Sequence, residues 1–439
     1  MNWSNVDSDQ LGEAMSRAGV VALYAKVLAP NDNSKNQIYL GGSLAAAQLL
    51  PFSKPFPEVT KKGRRTLKAK LNFYWLEHSG RCQQAPDAQL ILYPQYPEVR
   101  LGSILRSADI APSELIASRE EGRVLILGVT NDRRIVAVCV ARDSPIAAFV
   151  RRLSSDNSLL FEVPLRLGQS VASRREKVLE MLRGVHADGW LPSISLRSDG
   201  TRTPCASGNC VGYTLEAALG IPKNGRPGPD LYGWEIKGAE VKRPEYPPPS
   251  KPFTLMTPEP SGGIYCEQSP ADFIARFGYP DVAGRQDRLN FGGVHRVGEI
   301  NARTGLTLTL EGALSGGRFD PFGKLSLVDQ SGNEAASWSF AKLAELWNRK
   351  HSQAAYMFAQ KKVKPDRSYR FGPRADIAVG TRLDLLLQAL ACGAVYYDPG
   401  LKLENASSDK QKVKRRSQFR IKYKDLGKLY DSYHVELLN

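Results

Sequence analysis

The sequence has no apolar run of the about 20 residues that a membrane-spanning helix needs. Its start, Met1-Asn2-Trp3-Ser4, lacks the basic segment and apolar core of a secretory signal peptide. The six cysteines are scattered, and no pair has zinc-finger spacing; Cys205 and Cys210 stand close together but alone. These absences argue against a membrane, secreted or zinc-finger protein, and they predict a cytoplasmic protein with reduced thiols.

Positive charge is what the chain has in excess. It holds 60 Lys and Arg against 45 Asp and Glu, a formal net charge of +15. Such an excess favours a polyanionic partner, and a basic surface that serves solubility alone is the alternative. With 439 residues and 42% hydrophobic residues, the chain is expected to form two domains, or three, each with its own core.

The first part of the chain is rich in predicted strands separated by polar loops. Strands are expected at 20–28, 38–40, 71–76 and 90–93. The clearest hairpin joins 124–129 to 135–140 through Asn131-Asp132. This pattern predicts a β-rich, barrel-like domain over residues 1–155, followed by a linker over 156–170.

Residues 171–439 mix helices with strands. Ser173 and Glu176 have capping-box spacing, which predicts a helix that begins at Ser173. A second helix is expected at 213–219. Further elements are expected along the rest of the chain, namely strands at 253–257 and 305–312 and a long helix at 338–360.

One short acidic stretch carries the chemistry. Asp230 is followed, after four residues, by Glu235-Ile236-Lys237. Alternate side chains share a face of a strand, so Glu235 and Lys237 should point the same way. A bend at Pro229 and Gly233 would bring Asp230 back beside them. Two carboxylates can hold Mg²⁺, and a lysine beside them can position or deprotonate a water for attack on phosphorus. The alternative is a turn followed by a strand with two solvated charges.

The surroundings of this stretch carry a family resemblance. Gly212-Tyr213-Thr214-Leu215-Glu216-Ala217-Ala218-Leu219-Gly220-Ile221, then Pro229-Asp230, Gly233-Trp234-Glu235-Ile236-Lys237 and Phe253-Thr254-Leu255-Met256-Thr257, resembles the catalytic core of the MvaI/BcnI restriction endonucleases. It is similar, more distantly, to the mismatch-repair nickase MutH. The resemblance covers roughly residues 170–439 and is most specific at 212–237.

The resemblance implies a Mg²⁺-dependent phosphodiesterase that cuts double-stranded DNA within a short sequence. Carried over by position, Asp230 and Glu235 become metal ligands, and Ile236 lends its main-chain carbonyl. Lys237 becomes the residue that orients the attacking water. Glu216 matches the helical glutamate of the MutH-like pattern, and a surface charge is its alternative reading. The gap from Asp230 to Glu235 agrees with the restriction enzymes and is shorter than in MutH.

A second resemblance lies near the start of the chain. Tyr24-Ala25-Lys26-Val27-Leu28-Ala29-Pro30-Asn31-Asp32, running on to Gln37-Ile38-Tyr39-Leu40, is similar to the N-terminal effector domain of the EcoRII restriction enzyme. That domain is a pseudobarrel which grips the major groove with two loop arms. Here the arms would be Asn31 to Gln37 and Gln95 to Arg100, and solvated loops are the alternative. The implied DNA-binding residues are Asn31, Lys35, Gln37, Tyr96, Glu98 and Arg100.

Together the resemblances imply one fold class. We expect a two-domain protein with an N-terminal β-rich pseudobarrel. An α/β restriction-endonuclease-like (PD-(D/E)xK) catalytic domain should follow, with a mixed central sheet flanked by helices. Enzymes similar to the two halves share the site CCWGG, in which W is A or T. We therefore expect a monomeric bacterial restriction enzyme for that site, whose N-terminal domain binds a second copy.

The basic end of the chain supplies further DNA contacts in this interpretation. Arg415, Arg416 and Arg420 are the expected DNA-binding residues there, and a solvated basic surface is the alternative. Two other functions compete with a restriction enzyme. One is a strand-specific nickase of the MutH class, and the other is a non-catalytic DNA-binding protein built on a nuclease core.

Overall fold

The computed structural model describes residues 3–30, 36–41, 49–53, 55–60, 63, 65–93, 98–153, 159–163, 171–223, 230–313, 319–350 and 353–438. The chain divides into two compact units, Met1–Met181 and Leu182–Asn439. Of the predicted linker at 156–170, only residues 159–163 lie within the described part. None of the described helices is both long and apolar enough to cross a membrane.

In its described residues, the first unit contains two sheets and three helices that lie wholly within it. The helices are α1 (Ser8–Arg17), α2 (Ser113–Ala117) and α3 (Pro145–Leu153). The strands are β1 (Val20–Leu28), β2 (Ile38–Gly41), β3 (Phe56–Val59), β4 (Arg65–Lys70), β5 (Phe73–Leu76), β6 (Cys82–Gln84), β7 (Gln89–Tyr93), β8 (Glu98–Gly102), β9 (Arg123–Thr130), β10 (Ile135–Val140) and β11 (Phe161–Glu162). They form a six-stranded sheet, β11-β1-β9-β10-β5-β6, and a five-stranded sheet, β2-β8-β7-β4-β3.

Helices cover the apolar strands of the six-stranded sheet and form a core with them. Every residue of β10 is buried, as an apolar run of six predicts for a strand inside a core. Leu11 and Met15 of α1 and Ile146 and Val150 of α3 share one core cluster with β1, β9 and β10. The strands predicted at 20–28 and 38–40 and the hairpin are confirmed. Within the described residues, neither sheet closes into a barrel.

The second unit begins inside helix α4 (Val171–Ala187), and the part of it that the structure describes continues with five helices. These are α5 (Cys210–Ala218), α6 (Ile264–Glu267), α7 (Pro270–Phe277), α8 (Phe340–Lys350) and α9 (Leu383–Ala391), with a 3-10 segment at Tyr423–Leu429. The strands are β12 (Trp190–Pro192), β13 (Ile194–Leu196), β14 (Arg202–Pro204), β15 (Glu235–Glu240), β16 (Pro252–Met256), β17 (Tyr279–Pro280), β18 (Arg288–Gly292), β19 (Thr307–Ala313), β20 (Phe319–Val328), β21 (Glu334–Ser339), β22 (Gln353–Lys362), β23 (Ser368–Val379), β24 (Val395–Tyr397), β25 (Gly400–Glu404), β26 (Lys412–Lys414), β27 (Phe419–Lys422) and β28 (Ser432–Leu437).

A mixed five-stranded sheet lies at the centre of the second unit. Its order is β12-β23-β22-β15, with β28 also paired to β23. Strand β15 runs parallel to β22, whereas β22, β23 and β28 are antiparallel. A second layer is formed by β16, β27 and β24, in which Phe253 of β16 packs edge-on against Tyr356 and Phe358 of β22. The expected mixed sheet with flanking helices is therefore present.

The predicted helix at 338–360 is wrong over its second half. Helix α8 ends at Lys350, and the chain then enters β22. Residues 354–359 are buried on both faces of the sheet, so they show neither the helical nor the alternating period. A continuous apolar run of this kind is compatible with a buried helix or a buried strand.

Two local expectations are also corrected. Helix α4 already runs from Val171, so Ser173 lies inside it and is not its N-cap. Cys205 and Cys210 are joined in a disulfide, against the expectation of reduced thiols. A separation of five residues let the loop before α5 fold the two sulfurs together.

Candidate active site

A tight turn carries the chain into the site. Leu231 and Trp234 exchange main-chain hydrogen bonds, with N···O distances of 3.0 and 2.8 Å. The two residues between them have positive φ, +49° at Tyr232 and +86° at Gly233. A two-residue reversal of this handedness favours glycine, which has no Cβ to clash. Trp234 is buried and anchors the turn, so the chain reverses direction immediately before β15.

The turn brings Asp230 back onto β15. Its Oδ2 atom accepts a hydrogen bond from the main-chain N–H of Ile236 at 2.8 Å. Strand β15 lies at one edge of the sheet within the described residues, and this bond uses the side that faces away from β22. The bend expected from the sequence is therefore present, and Asp230 lies beside the Glu235–Lys237 segment.

Glu235 and Lys237 share one face of β15. The Nζ atom of Lys237 donates to Oε1 of Glu235 at 2.6 Å. The Glu235 side chain is 3% exposed and that of Lys237 is 25% exposed. A buried carboxylate requires a nearby cation or hydrogen-bond donors to stay charged, and Lys237 supplies both.

Helix α5 packs closely against β15. A Cβ atom on Gly238 would lie 3.1 Å from the carbonyl oxygen of Val211 and 3.3 Å from Cα of Gly212. Glycine at 238 therefore permits the close approach of helix and strand. Glu216 lies half-buried on this helix. Within the described residues, no three His, Cys, Asp or Glu side chains form a group that could hold a metal.

The donor set at the turn fits a hard divalent cation. Asp230 and Glu235 offer carboxylate oxygens, which Mg²⁺ prefers. The N–H and C=O of one strand residue leave the strand on the same side. Because the N–H of Ile236 points at Asp230, its carbonyl also faces the Asp230 side. Two carboxylates and one carbonyl leave room for waters and a phosphate, as Mg²⁺ sites usually do.

The sequence comparison decides the family. Residues 179–430 match the MvaI/BcnI restriction endonuclease family, which is more than half of the chain. The chain belongs to this family. Because the family consists of restriction endonucleases, the chain is a nuclease, and its second unit has the restriction-endonuclease-like fold.

Two solved structures of the family member MvaI resemble the chain. The restriction endonuclease MvaI–cognate DNA substrate complex is 17% identical, with a TM-score of 0.44, over 60% of this chain and 98% of that one. MvaI in the absence of DNA is 15% identical, with a TM-score of 0.36, over 61% of this chain and 99% of that one. No curated protein matches the chain.

Two buried tyrosines, Tyr356 and Tyr430, lie near Glu235 and Lys237 in this chain. Lys237 is the sheet partner of Tyr356 on β22, and Glu235 is the partner of Ala354. The hydroxyl of Tyr356 is hydrogen-bonded to that of Tyr430 at 2.8 Å. Burial raises the pKa of both phenols, and the negative charge of Glu235 raises each pKa further. The sequence analysis missed both residues, because no motif marks them.

A second polar cluster occupies the next strand. Asp376 is the β23 partner of Tyr356 and is fully buried. Its Oδ1 atom accepts from Nε and Nη2 of Arg374 at 3.1 and 2.6 Å. Its Oδ2 atom accepts from the hydroxyls of Tyr423, at 2.7 Å, and Tyr433. Burial and the Asp376 carboxylate raise the pKa of Tyr423 to about 12. Four donor contacts thus satisfy this buried carboxylate.

The C-terminal arginines lie at two kinds of position. Arg415 and Arg416 are exposed between β26 and β27. Arg420 lies on β27, and its Nη1 atom pairs with Oδ2 of Asp398 at 2.7 Å. Arg420 is therefore held in place by a carboxylate, whereas Arg415 and Arg416 present their charge at the surface.

The first unit holds the remaining predicted DNA-binding residues. Asn31, Lys35 and Tyr96 lie outside the described residues. On β8, Nε and Nη2 of Arg100 both donate to Oε2 of Glu98, at 2.9 and 2.7 Å. The Arg100 guanidinium also lies over the Tyr93 ring, whose hydroxyl donates to Gln37 at 3.2 Å. The structure thus gathers Gln37, Glu98 and Arg100 around Tyr93.

Proposed function

We propose that the protein is a Mg²⁺-dependent type II restriction endonuclease that cleaves double-stranded DNA at CCWGG. Two contacts within the segment 230–237 support the proposal. Asp230 contacts the Ile236 N–H at 2.8 Å, and Lys237 contacts Glu235 at 2.6 Å. Double-stranded DNA as the partner agrees with the MvaI–cognate DNA complex and with the net charge of +15.

Each residue of the set has a distinct task in this proposal. Asp230 and Glu235 would hold Mg²⁺ together with the carbonyl of Ile236. Bound Mg²⁺ supplies charge neutralisation at the phosphodiester and acidifies water. Lys237 is hydrogen-bonded to Glu235 and, at 25% exposure, can reach the attacking water, which it would orient in line with the leaving oxygen. Glu216 on α5 is assigned to the site by its position in the family pattern, as a supporting acid.

The first unit is proposed to be an EcoRII-like pseudobarrel that binds a second copy of the site. Arg100 carries this part of the proposal, because Glu98 holds its guanidinium by two hydrogen bonds and Tyr93 supports it from below. A guanidinium fixed in this way can read guanine in the major groove, and such a contact discriminates by about 1–3 kcal/mol. The pairing of an EcoRII-like domain with an MvaI-like domain resembles the restriction enzyme UbaLAI.

The DNA contacts of the second unit are assigned to Arg415, Arg416 and Arg420. Exposed Arg415 and Arg416 suit phosphate contacts, which depend on charge alone. Arg420, held by Asp398, suits a base contact that requires a fixed orientation. We further propose that the enzyme acts as a monomer in the bacterial cytoplasm, since each chain carries one Asp230–Glu235–Lys237 set.

Digestion of plasmid DNA tests the proposal. With Mg²⁺, the protein should give discrete fragments, and sequencing their ends should place every cut within CCWGG. Lys237→Ala should bind the same DNA without cutting it. The same binding without cleavage by the unmodified protein would show a non-catalytic DNA-binding protein, and a nicked circle as the final product would show a MutH-like nickase. Cuts at unrelated sequences would overturn the assigned specificity.

A further inference from the structure

The buried tyrosines near Glu235, Tyr356 and Tyr430, have no role in the proposed set of Asp230, Glu235 and Lys237. Tyr356 is 1% exposed and Tyr430 is 6% exposed, yet each carries a polar hydroxyl. One lies on the central strand β22, and the other follows the 3-10 segment Tyr423–Leu429. Residues distant in sequence thus bring two hydroxyl groups together in the interior, where buried hydroxyl groups normally have hydrogen-bond partners.

Sheet register places Tyr356 on the same face of the sheet as Glu235. Across the sheet, Glu235, Ala354, Ala378 and Tyr433 form one row, and Lys237, Tyr356 and Asp376 form a row two residues further along. Residues two apart on a strand share a face. Alanines at 354 and 378 leave space over the sheet next to Glu235, and the Tyr356 side chain leaves the sheet from the neighbouring row.

The Tyr356–Tyr430 hydroxyl pair has one proton that its own hydrogen bond does not use. Two hydroxyls carry two protons, and their mutual hydrogen bond at 2.8 Å uses one of them. The second proton is available for an acceptor. The charge of Glu235 acts on both phenols, which makes its carboxylate the acidic group common to the two. A proton donated through one bridging water would hold that carboxylate in a fixed orientation.

We propose that the Tyr356–Tyr430 hydroxyl pair is a positioning element that orients the Glu235 carboxylate for metal binding. The inference rests on one part of the proposed function, namely that Glu235 is a metal ligand. Lys237 contacts Glu235 from the exposed side, and the hydroxyl pair supports it from the buried side. Partners of this outer kind commonly change metal affinity by about 10–100-fold when they are removed.

Three conservative variants test the pair. Tyr356→Phe and Tyr430→Phe each remove one hydroxyl and keep the ring. Tyr397→Phe is the matched control, because Tyr397 is equally buried but lies in the second layer, packed against Trp338 and Phe419. Binding of Mn²⁺ to the DNA-free protein is measured by electron paramagnetic resonance, and thermal unfolding of each variant is recorded in parallel. Asp230→Asn identifies the signal that belongs to this site.

Both test variants should bind Mn²⁺ about 10-fold more weakly than the unmodified protein. The double variant should be no weaker than either single one, because the two hydroxyls act as a unit. Tyr397→Phe should bind with unchanged affinity even if it unfolds at a lower temperature. In cleavage assays, Tyr430→Phe should need about 10-fold more Mg²⁺ for half-maximal rate and recover at saturation.

Unchanged Mn²⁺ affinity in both folded test variants would overturn the inference, as would equal weakening in Tyr397→Phe. An unmodified protein without a Mn²⁺ signal that depends on Asp230 would overturn it as well. Failure of the proposed function looks different. In that case the protein binds Mn²⁺ at Asp230 and the tyrosine variants weaken that binding, but no DNA is cleaved.

Discussion

The carboxylate of Asp230 is fixed by the main chain of Ile236, six residues further on, at an N···O distance of 2.8 Å. This bond spans the turn and joins Asp230 to strand β15, which carries Glu235 and Lys237. The position of Asp230 therefore depends on the conformation of the turn, and less on its own side-chain torsions. Several expected outcomes depend on this relationship.

Replacing Gly233 should impair cleavage more than stability. Its φ of +86° lies in the left-handed region, where a Cβ costs about 1–2 kcal/mol. Relaxation of that strain in Gly233→Ala would shift Asp230 away from Ile236, and a displacement of about 1 Å can lower a rate about 100-fold. Gly332→Ala is the matched control, since its φ of +82° also faces open space but lies in the β20–β21 turn. Equal cleavage rates in the two variants would contradict the expectation.

Charge and hydrogen bonding at Asp230 can be separated. Asp230→Asn keeps an oxygen that can accept from the Ile236 N–H, so its free energy of unfolding should change by less than about 1 kcal/mol. Cleavage should nevertheless fall by at least about 100-fold, because a neutral amide is a poor ligand for Mg²⁺. Asp230→Ala should lose the hydrogen bond as well and be about 1 kcal/mol less stable than the Asn variant. Chemical denaturation and initial cleavage rates measure both effects.

Because α5 packs closely on β15, glycine-to-alanine substitutions on the two elements should have opposite effects on stability. Gly238→Ala would place a Cβ 3.1 Å from the Val211 carbonyl and should destabilise the protein by about 1–3 kcal/mol. Gly212→Ala, on the facing helix, meets nothing within 4 Å. It should be neutral or stabilise the helix by about 1 kcal/mol. Denaturant midpoints check the signs, and a stabilised Gly238→Ala would show that helix and strand are more loosely packed.

Acid should destabilise the second unit through His295. Burial lowers its pKa from 6.5 to about 4, and the imidazole is held between the Gly293 carbonyl and the Thr304 hydroxyl. The unfolded chain therefore binds this proton more readily than the folded chain does. Stability should be unaffected above pH 6.5 and should fall as the pH drops towards 4, by about 3 kcal/mol in total. Unfolding of His295→Gln at pH 7 and pH 5 should differ less than that of the unmodified protein.

Local chemistry accounts for the parts of the site that the sequence predicted. Asp230, Glu235 and Lys237 lie within eight residues, and the turn between them uses Gly233 at a left-handed position. Alternation along a strand then places Glu235 and Lys237 on one face whatever the rest of the fold does. The strand β1 and the β9–β10 hairpin were predictable for the same reason, since their signals are local.

The missed features depend on contacts between distant residues. Residues 353–360 were expected to continue a helix, because the apolar run at 354–359 has no period once both faces are buried. Tyr356 and Tyr430 meet only because β22 and the segment after Tyr423–Leu429 fold together, and neither position carries a motif. The disulfide required the geometry of the loop before α5, which the spacing of Cys205 and Cys210 did not specify.

The buried carboxylate of Asp376 has a consequence for synthesis of the enzyme. The Asp376 carboxylate accepts hydrogen bonds from the hydroxyls of Tyr423 and Tyr433. The ribosome adds these two tyrosines almost two hundred residues after the segment 230–237. Until those phenols arrive, a charge inside the sheet lacks half of its donors, which is strongly destabilising. A nascent chain that already carries all three motif residues thus has an unstable catalytic sheet. The sheet that carries Glu235 and Lys237 should therefore become stable only after Tyr433 has been synthesised.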